Sequence, residues 1–103
     1  MNRMMTELHD WPFDQAENVA AVSDASVVDE HAPILLVVHY SEDDSWGFFS
    51  GEPFTPARGK VIAMREAVRL DPTLRSVADL PPGWTATRSR SNDVWLRERD
   101  PDV

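Results

Sequence analysis

The sequence predicts a single α+β domain, with a mostly antiparallel sheet of four or five strands and two or three short helices. The chain has 103 residues, which is the usual size of one domain. Its hydrophobic fraction of 42% is ordinary for a folded protein and too high for a disordered one. Short apolar runs, separated by stretches that contain Pro and Gly, indicate short strands and helices rather than long helices.

The first strand and the first helix are predicted near the N-terminus. Trp11-Pro12-Phe13 is expected to fold over the edge of the sheet, and residues 18–22 are short and apolar, as is typical of a strand. Ser23 or Asp24 can then cap a helix, because a side-chain oxygen there accepts the unpaired N–H groups of the first turn. The helix must end before Pro33. Its predicted buried face consists of Val27 and Val28.

Residues 34–51 are predicted to form a β-hairpin. Residues 34–38 are apolar on both faces, so we place this strand in the centre of the sheet. The polar residues 41–45 connect it to a second, aromatic strand at 46–51. Because both faces of the first strand are expected to be buried, Leu36→Ala should cost about 2–5 kcal/mol of stability.

The second half of the chain predicts a strand, two short helices and a closing hairpin. Residues 60–63 form a short strand, and apolar residues at helical spacing predict a helix after it, through about residue 70. Asp71-Pro72 starts the next helix, because Asp caps and Pro in the first turn lacks only an N–H that has no partner there. Residues 84–89 alternate in polarity, and residues 94–99 pair back on them.

Both ends of the chain are predicted to lie outside the folded domain, which covers residues 11–99. Residues 1–10 are expected to form a flexible tail, and residues 100–103 a polar tail. The N-terminal stretch has one basic residue and no apolar run, so it does not resemble a signal peptide. The longest apolar run is too short to span a bilayer, and cysteine is absent. We therefore expect a cytoplasmic protein without membrane contact.

The charge distribution excludes one class of partner and favours another. The formal net charge is −8, and nucleic-acid binding needs a basic face that neutralises phosphates, so no nucleic-acid partner is expected. Residues 1–55 hold eleven acidic residues and one basic residue, whereas residues 56–103 hold seven and nine. Either the two halves interleave and neutralise each other, or an acidic face steers a basic protein partner.

Several blocks of sequence carry a resemblance to one family. They are Ala21-Val22-Ser23-Asp24, Asp44-Ser45-Trp46-Gly47-Phe48-Phe49-Ser50-Gly51, Leu70-Asp71-Pro72, Gly83-Trp84 and Arg97-Glu98-Arg99-Asp100. Over about residues 19–100 the chain resembles a family of small bacterial proteins, first catalogued as a domain of unknown function and later grouped with the immunity proteins of polymorphic toxin systems. The family often has Ser-Gly-Trp where this chain has Ser45-Trp46-Gly47, so the hairpin bend is expected to differ. The resemblance implies a toxin-neutralising binding protein without a catalytic motif.

The predicted partner-binding residues lie at the hairpin connection. They are Glu42, Asp43, Asp44 and Trp46. Trp46 is expected to be partly exposed because it borders the acidic residues, and burial in the core is the alternative interpretation. A Trp beside carboxylates can contact an Arg-rich partner through cation–π interaction and charge pairing.

The sequence predicts no catalytic residue, no metal site and no cofactor. The three carboxylates offer oxygen ligands for a hard cation, but their spacing is not that of a Ca²⁺-binding EF-hand loop. An exposed loop provides no pocket that raises a carboxyl pKa for acid–base catalysis. His39 is expected to be a hydrogen-bonded strand residue. No Gly-rich phosphate loop or nucleophile elbow occurs in the sequence.

Four arginines alternate along the closing hairpin and are expected to share its solvent-facing side. They are Arg88, Arg90, Arg97 and Arg99. These arginines either pair with acids elsewhere in the chain or form a basic strip that binds phosphate.

Taken with the resemblance, these observations predict a non-enzymatic protein-binding module that neutralises a basic partner, such as a cognate toxin, by occlusion. The alternatives are a stand-alone regulatory or accessory domain and, from a different class, a small-ligand- or metal-binding enzyme.

Overall fold

The described residues fold into a six-stranded sheet with two α-helices and two 3₁₀ helices. The computed structural model describes residues 11–53 and 55–103, so the predicted tail at residues 1–10 lies outside the described residues. The strands are β1 (Ala20–Asp24), β2 (Leu36–His39), β3 (Trp46–Phe49), β4 (Gly59–Ala63), β5 (Trp84–Thr87) and β6 (Leu96–Arg99). The helices are α1 (Ala25–Glu30), α2 (Met64–Leu70) and the 3₁₀ segments Pro56–Arg58 and Pro72–Val77. None of these helices is long and apolar enough to cross a membrane.

The strand order across the sheet is β4-β1-β3-β2-β5-β6. β1 and β3 pair in parallel, and the other four neighbouring pairs are antiparallel. This confirms the predicted α+β class and the mostly antiparallel sheet. The sheet of the described region has six strands rather than four or five, because the short segment β4 pairs with β1 along its whole length and forms a complete edge strand.

The central hairpin is confirmed. β2 and β3 pair from Leu36↔Phe49 to His39↔Trp46, and β2 lies between β3 and β5 in the middle of the sheet. Val37 and Val38 are both buried, although successive residues of a strand point to opposite faces. Leu36 itself is only half-buried, so the cost of Leu36→Ala moves to the lower end of its range, about 2 kcal/mol.

The turn from β1 into α1 is fixed by one carboxylate. Oδ1 of Asp24 accepts the N–H of Val27 at 2.9 Å, which confirms that Asp24 caps the helix. Ser23, the other candidate cap, does not cap the helix. Its hydroxyl donates to the main-chain oxygen of Phe48 at 2.6 Å, across the parallel pair of strands β1 and β3. β1 therefore extends through Asp24, two residues beyond the predicted end of the strand. Val28 is half-exposed, so Val27 alone of the two predicted valines is fully buried.

The core lies on the face of the sheet that carries α1, α2 and the second 3₁₀ helix. Residues that pair in register share this face, and they contribute the sheet side of the core: Ala21, Val37, Trp46, Phe48 and Ala86. Met64, Ala67, Leu74 and Val77 cover them from the helices.

The N-terminal aromatic segment packs against the centre of this face. The ring of Phe13 meets Trp46 edge-on, with centroids 5.0 Å apart, and lies 6.4 Å from Phe48 in the same perpendicular arrangement. The expectation that this segment covers the edge of the sheet is therefore wrong, since β3 is an interior strand.

Arg88 departs from the predicted arginine strip. Arg88 lies on the same face of the sheet as Ala86 and Arg97. This region of the face is covered, and the Arg88 side chain is only 1% exposed. Its guanidinium donates to the main-chain oxygen of Ile34 from Nε and Nη2, at 3.1 and 3.0 Å, and stands 4.0 Å above the Trp95 ring.

The charge of Arg88 is balanced by Asp71. Nη2 of Arg88 lies 2.5 Å from Oδ2 of Asp71, and Nη1 donates to the Thr73 hydroxyl at 3.0 Å. Oδ1 of Asp71 accepts the Thr73 N–H at 3.0 Å, so Asp71 also caps the 3₁₀ helix, as predicted for a helix start.

Three of the four arginines of the closing hairpin form ion pairs with acidic residues of the same chain. Besides Arg88, Arg97 pairs with Asp79 at 2.9 Å, and Arg90 with Asp93 at 3.5 Å. The prediction of a solvent-facing basic strip is wrong, because its first member is buried and two others already have carboxylate partners within the chain.

We predict that Arg88→Ala destabilises the protein by about 3–5 kcal/mol, because it leaves the half-buried Asp71 carboxylate without its counter-ion. Arg88→Lys should recover little of this loss, since an ammonium group cannot reproduce the forked contacts to Ile34 and Asp71. Urea unfolding followed by circular dichroism measures both effects. The exposed Arg90→Ala is the control and should stay within about 0.5 kcal/mol; equal effects of Arg88→Ala and Arg90→Ala would contradict the assignment.

Candidate functional site: the acidic loop

Residues 40–45 connect β2 to β3, and residues 41–45 of this connection are called the acidic loop. Glu42, Asp43 and Asp44 are all exposed, and they form a run of three carboxylates at one end of the central hairpin. Asp44 has a positive φ of 62°, a left-handed conformation that Asp tolerates better than most residues. The loop therefore has a defined backbone, and the contacts of its side chains show how that backbone is held.

His39 anchors the loop to the body of the domain. This side chain at the end of β2 is buried, and both nitrogens of its ring form hydrogen bonds. Nδ1 lies 2.7 Å from the main-chain oxygen of Leu80, and Nε2 lies 2.6 Å from Oδ1 of Asp44. The expectation of a hydrogen-bonded strand histidine is confirmed.

The two partners of His39 fix the orientation of its ring. The Leu80 oxygen can only accept, so Nδ1 donates to it. Nε2 shares the second hydrogen bond with the Asp44 carboxyl. The ring is therefore held between the Leu80 carbonyl and the base of the acidic loop.

Trp46 is buried, with 1% of its surface exposed. The expectation that it is partly exposed is wrong, because its ring is covered from several sides. It stacks on His39 with centroids 4.0 Å apart and planes 15° apart, and Phe13 covers another part of it. Trp46 thus supports the acidic loop from beneath and offers a partner almost no surface.

Gln15 joins the N-terminal segment to the loop. Its side-chain oxygen accepts the indole N–H of Trp46 at 2.8 Å, and its amide nitrogen donates to the main-chain oxygen of Asp44 at 2.7 Å. Its main-chain oxygen accepts the indole N–H of Trp11 at 2.7 Å. The sequence contains no signal for this role, since Gln15 lies 31 residues before Trp46 and belongs to no motif.

Asp43 is held by its own turn. The Ser45 hydroxyl donates to Oδ1 of Asp43 at 2.6 Å, and the Ser45 N–H donates to the same oxygen at 3.2 Å. These two hydrogen bonds, the hydroxyl first, lower the pKa of Asp43. Burial raises the pKa of Tyr40, and the charge of Asp43 raises it further. The carboxylate of Asp43 thus stays ionised, in a fixed position and open to solvent.

More acidic residues lie at the same end of the sheet. The main-chain oxygen of His39 accepts the N–H of Gly83 at 2.7 Å, and the oxygen of Gly83 accepts the N–H of Asp100 at 2.8 Å. The hydroxyl of Ser41 reaches the main-chain oxygen of Val103 at 2.7 Å. These bonds bring the last residues of the chain beside the acidic loop. We call the combined surface the acidic end; it consists of Glu42, Asp43, Asp44, Asp100 and Asp102.

The two halves of the chain neutralise each other elsewhere. Lys60 pairs with Asp29 at 3.2 Å, and Arg58 pairs with Glu30 at 3.5 Å, near the opposite end of the sheet. Among the described residues, no Lys or Arg forms an ion pair with Glu42 or any other member of the acidic end. The acidic first half and the basic second half of the chain thus neutralise each other near β4. At the acidic end, the carboxylates have no Lys or Arg partner among the described residues.

Metal binding needs a cluster of ligating side chains, and enclosed chemistry needs a pocket. Within residues 11–53 and 55–103, no three His, Cys, Asp or Glu side chains are placed so that they could hold a metal ion. A cleft of about 580 Å³ lies between the second 3₁₀ helix and the turn before β6, where Arg75, Trp95 and Arg97 are part of its lining. That cleft does not include the acidic loop.

Comparison of the chain with family models, with curated proteins and with solved structures gives no match. The resemblance to toxin-immunity proteins therefore stays a prediction from the motif blocks, and the geometry of the site carries the functional argument.

We predict that His39 and Asp44 are energetically coupled by about 1 kcal/mol, the usual net value of a hydrogen bond, because the Asp44 side chain is 62% exposed. A double-mutant cycle of His39→Gln and Asp44→Asn, measured by urea unfolding, gives this coupling. The matched cycle of His39→Gln with Glu42→Gln should give none, because both hydrogen bonds of the ring go to other residues, Leu80 and Asp44. Equal coupling in the two cycles would show a general charge effect in place of a specific bond.

We predict that Ser45→Ala raises the pKa of Asp43 towards its ordinary value, since the Ser45 hydroxyl is the largest cause of the lowering. A carboxyl with a lowered pKa contributes stability above its unfolded pKa and loses it as the pH falls through its folded pKa. The difference in stability between wild type and Ser45→Ala should therefore be present at neutral pH and disappear in acid. Carboxyl NMR titration measures the shift, and Ser41→Ala, whose hydroxyl bonds Val103, should leave Asp43 unchanged.

Proposed function

We propose that the protein is a non-enzymatic protein-binding module that covers a basic partner with its acidic end. The observation that supports this proposal most is the state of Glu42 and Asp43. Both carboxylates are exposed on a loop that hydrogen bonds hold in one conformation, and no cation of the described chain pairs with them. A basic partner supplies the missing cations.

The fixed loop favours binding in two ways. Its charges attract a basic partner from beyond contact distance and so raise the rate of encounter. Its backbone, held by His39, Gln15 and Ser45, is already ordered, so little conformational entropy is lost when the complex forms. Occlusion of a partner's basic surface by such a loop needs no catalytic group.

The motif blocks and the composition make the proposal more specific. The resemblance to toxin-immunity proteins supports a toxin with a basic surface as the partner. The absence of cysteine supports a reducing compartment, such as the cytoplasm, as the place where the two proteins bind. In this proposal, Trp46 supports the acidic loop and does not touch the partner. The carboxylates of the loop contact the partner directly.

The proposal predicts that Glu42→Gln/Asp43→Asn slows association with the partner by about tenfold at low salt, because steering charges act on encounter. Dissociation should change much less. Added salt should remove most of the difference, since screening acts on the same interaction. The partner is first captured from extract of the protein's own cells at low salt, and stopped-flow measurements at two salt concentrations then give the rates. This variant leaves Asp44 and its bond to His39 intact.

A second double variant controls for net charge alone. Asp29→Asn/Glu30→Gln removes the same charge at the opposite end, where these carboxylates already have cationic partners. It should change the association rate little. Equal slowing by the two variants would show that only net charge matters, and an unchanged rate for Glu42→Gln/Asp43→Asn would place the interface on another surface.

A further inference from the structure

β4 is a terminal strand of the sheet that residues 11–53 and 55–103 form, and its outer side presents backbone hydrogen-bonding groups. The N–H of Met64 donates to the oxygen of Val19 at 2.8 Å, in register with the pairs that follow along the ladder. In an antiparallel ladder, hydrogen-bonded and non-hydrogen-bonded pairs alternate. Ile62 and Lys60 therefore bond β1, whereas the N–H and C=O of Val61 point away from the sheet, at the centre of the strand.

The side chain of Val61 reinforces this open edge. It is 72% exposed, on the face of the sheet opposite the core. Proteins commonly protect edge strands with charged side chains or Pro. β6, the other edge, has three charged residues among its four. β4 has one, and the ammonium of Lys60 already lies 3.2 Å from Asp29 of the same chain.

We propose that β4 pairs antiparallel with β4 of a second copy of this chain, about a two-fold axis at Val61. In this register Val61 faces Val61 and exchanges both of its outward hydrogen bonds with it. Lys60 faces Ile62 of the other copy, so no like charges are directly opposed. The contact is isologous, because the same strand is used by both copies, and it closes as a dimer.

The position of the acidic end is compatible with this dimer. The acidic loop precedes β3, β3 runs parallel to β1, and β4 runs antiparallel to β1, so the loop lies at the same end of the sheet as Ala63. Antiparallel pairing of two β4 strands therefore directs the two acidic ends away from each other. Both acidic loops stay accessible, and their repulsion is kept small by distance.

The strength of the association follows from its size and charge. A five-residue strand is a small contact compared with standard interfaces, so we expect dimers only in the micromolar to millimolar range of protein concentration. Each copy carries a net charge of −8, so added salt should strengthen self-association. The proposed binding of a basic partner has the opposite salt dependence, and neither proposal rests on the other.

Cysteine cross-linking tests the register, and the chain has no native cysteine to interfere. Val61→Cys should form a disulfide-linked dimer under mild oxidation, because opposed residues of a ladder lie about 5.5 Å apart between Cα atoms. The matched control is Leu96→Cys on the other edge, which is 62% exposed. Cross-linking should be at least about tenfold slower there. Similar slow rates for the two variants would overturn the proposal, and so would preferred cross-links through residue 96 or between residues 61 and 96.

Sedimentation of charge variants tests the same contact without covalent bonds. Val61→Lys and Val61→Glu should each weaken the dimer about tenfold or more, because like charges then meet at the axis. An equimolar mixture of the two should restore association through unlike pairs. A wild type that remains monomeric at millimolar concentration, or a mixture that fails to associate while both variants stay folded by circular dichroism, would contradict the pairing.

Discussion

The guanidinium of Arg88 is almost excluded from water, and a buried charge must find partners for its hydrogen-bond donors or the fold loses several kcal/mol. Its partners come from three separate parts of the chain. Ile34 lies at the entry to β2, Asp71 and Thr73 lie at the start of the second 3₁₀ helix, and Trp95 precedes β6. The requirement to satisfy one side chain thus fixes how the helical layer, the central hairpin and the closing hairpin meet.

Asp24 has the corresponding role on the other half of the sheet. One of its oxygens caps α1, and the other accepts from the N–H and the hydroxyl of Ser50 at 3.0 and 2.9 Å. Together with the bond from Ser23 to Phe48, this carboxylate holds β3 parallel to β1. Ser23-Asp24, the end of the aromatic block and Asp71 are among the residues that carry the family resemblance. The contacts of these residues support the fold, whereas the exposed carboxylates of the acidic loop are free to bind a partner.

The sequence predicts the features whose physical cause lies within a few residues. The central hairpin follows from a local apolar run and a polar turn, and the cap at Asp24 from a short side chain before a helix. The burial of Arg88 and the role of Gln15 depend on partners 54 and 31 residues away, so no local pattern contains them. For the same reason Trp46 next to three carboxylates predicts exposure, whereas its actual neighbour across the ring is His39.

The acidic loop differs from the other polar parts of the domain in how its charges are balanced. Asp44 has a hydrogen-bond partner beneath the loop, the ring of His39, whereas Glu42 and Asp43 face solvent. The carboxylates of Glu42, Asp43 and Asp44 repel one another. Because they are exposed to water, this electrostatic repulsion is small, but it is not zero. The bonds from Ser45 and Gln15 stop the loop from relieving this repulsion by spreading apart. A cationic surface that approaches the loop therefore gains attraction and also relieves a repulsion that the fold itself maintains.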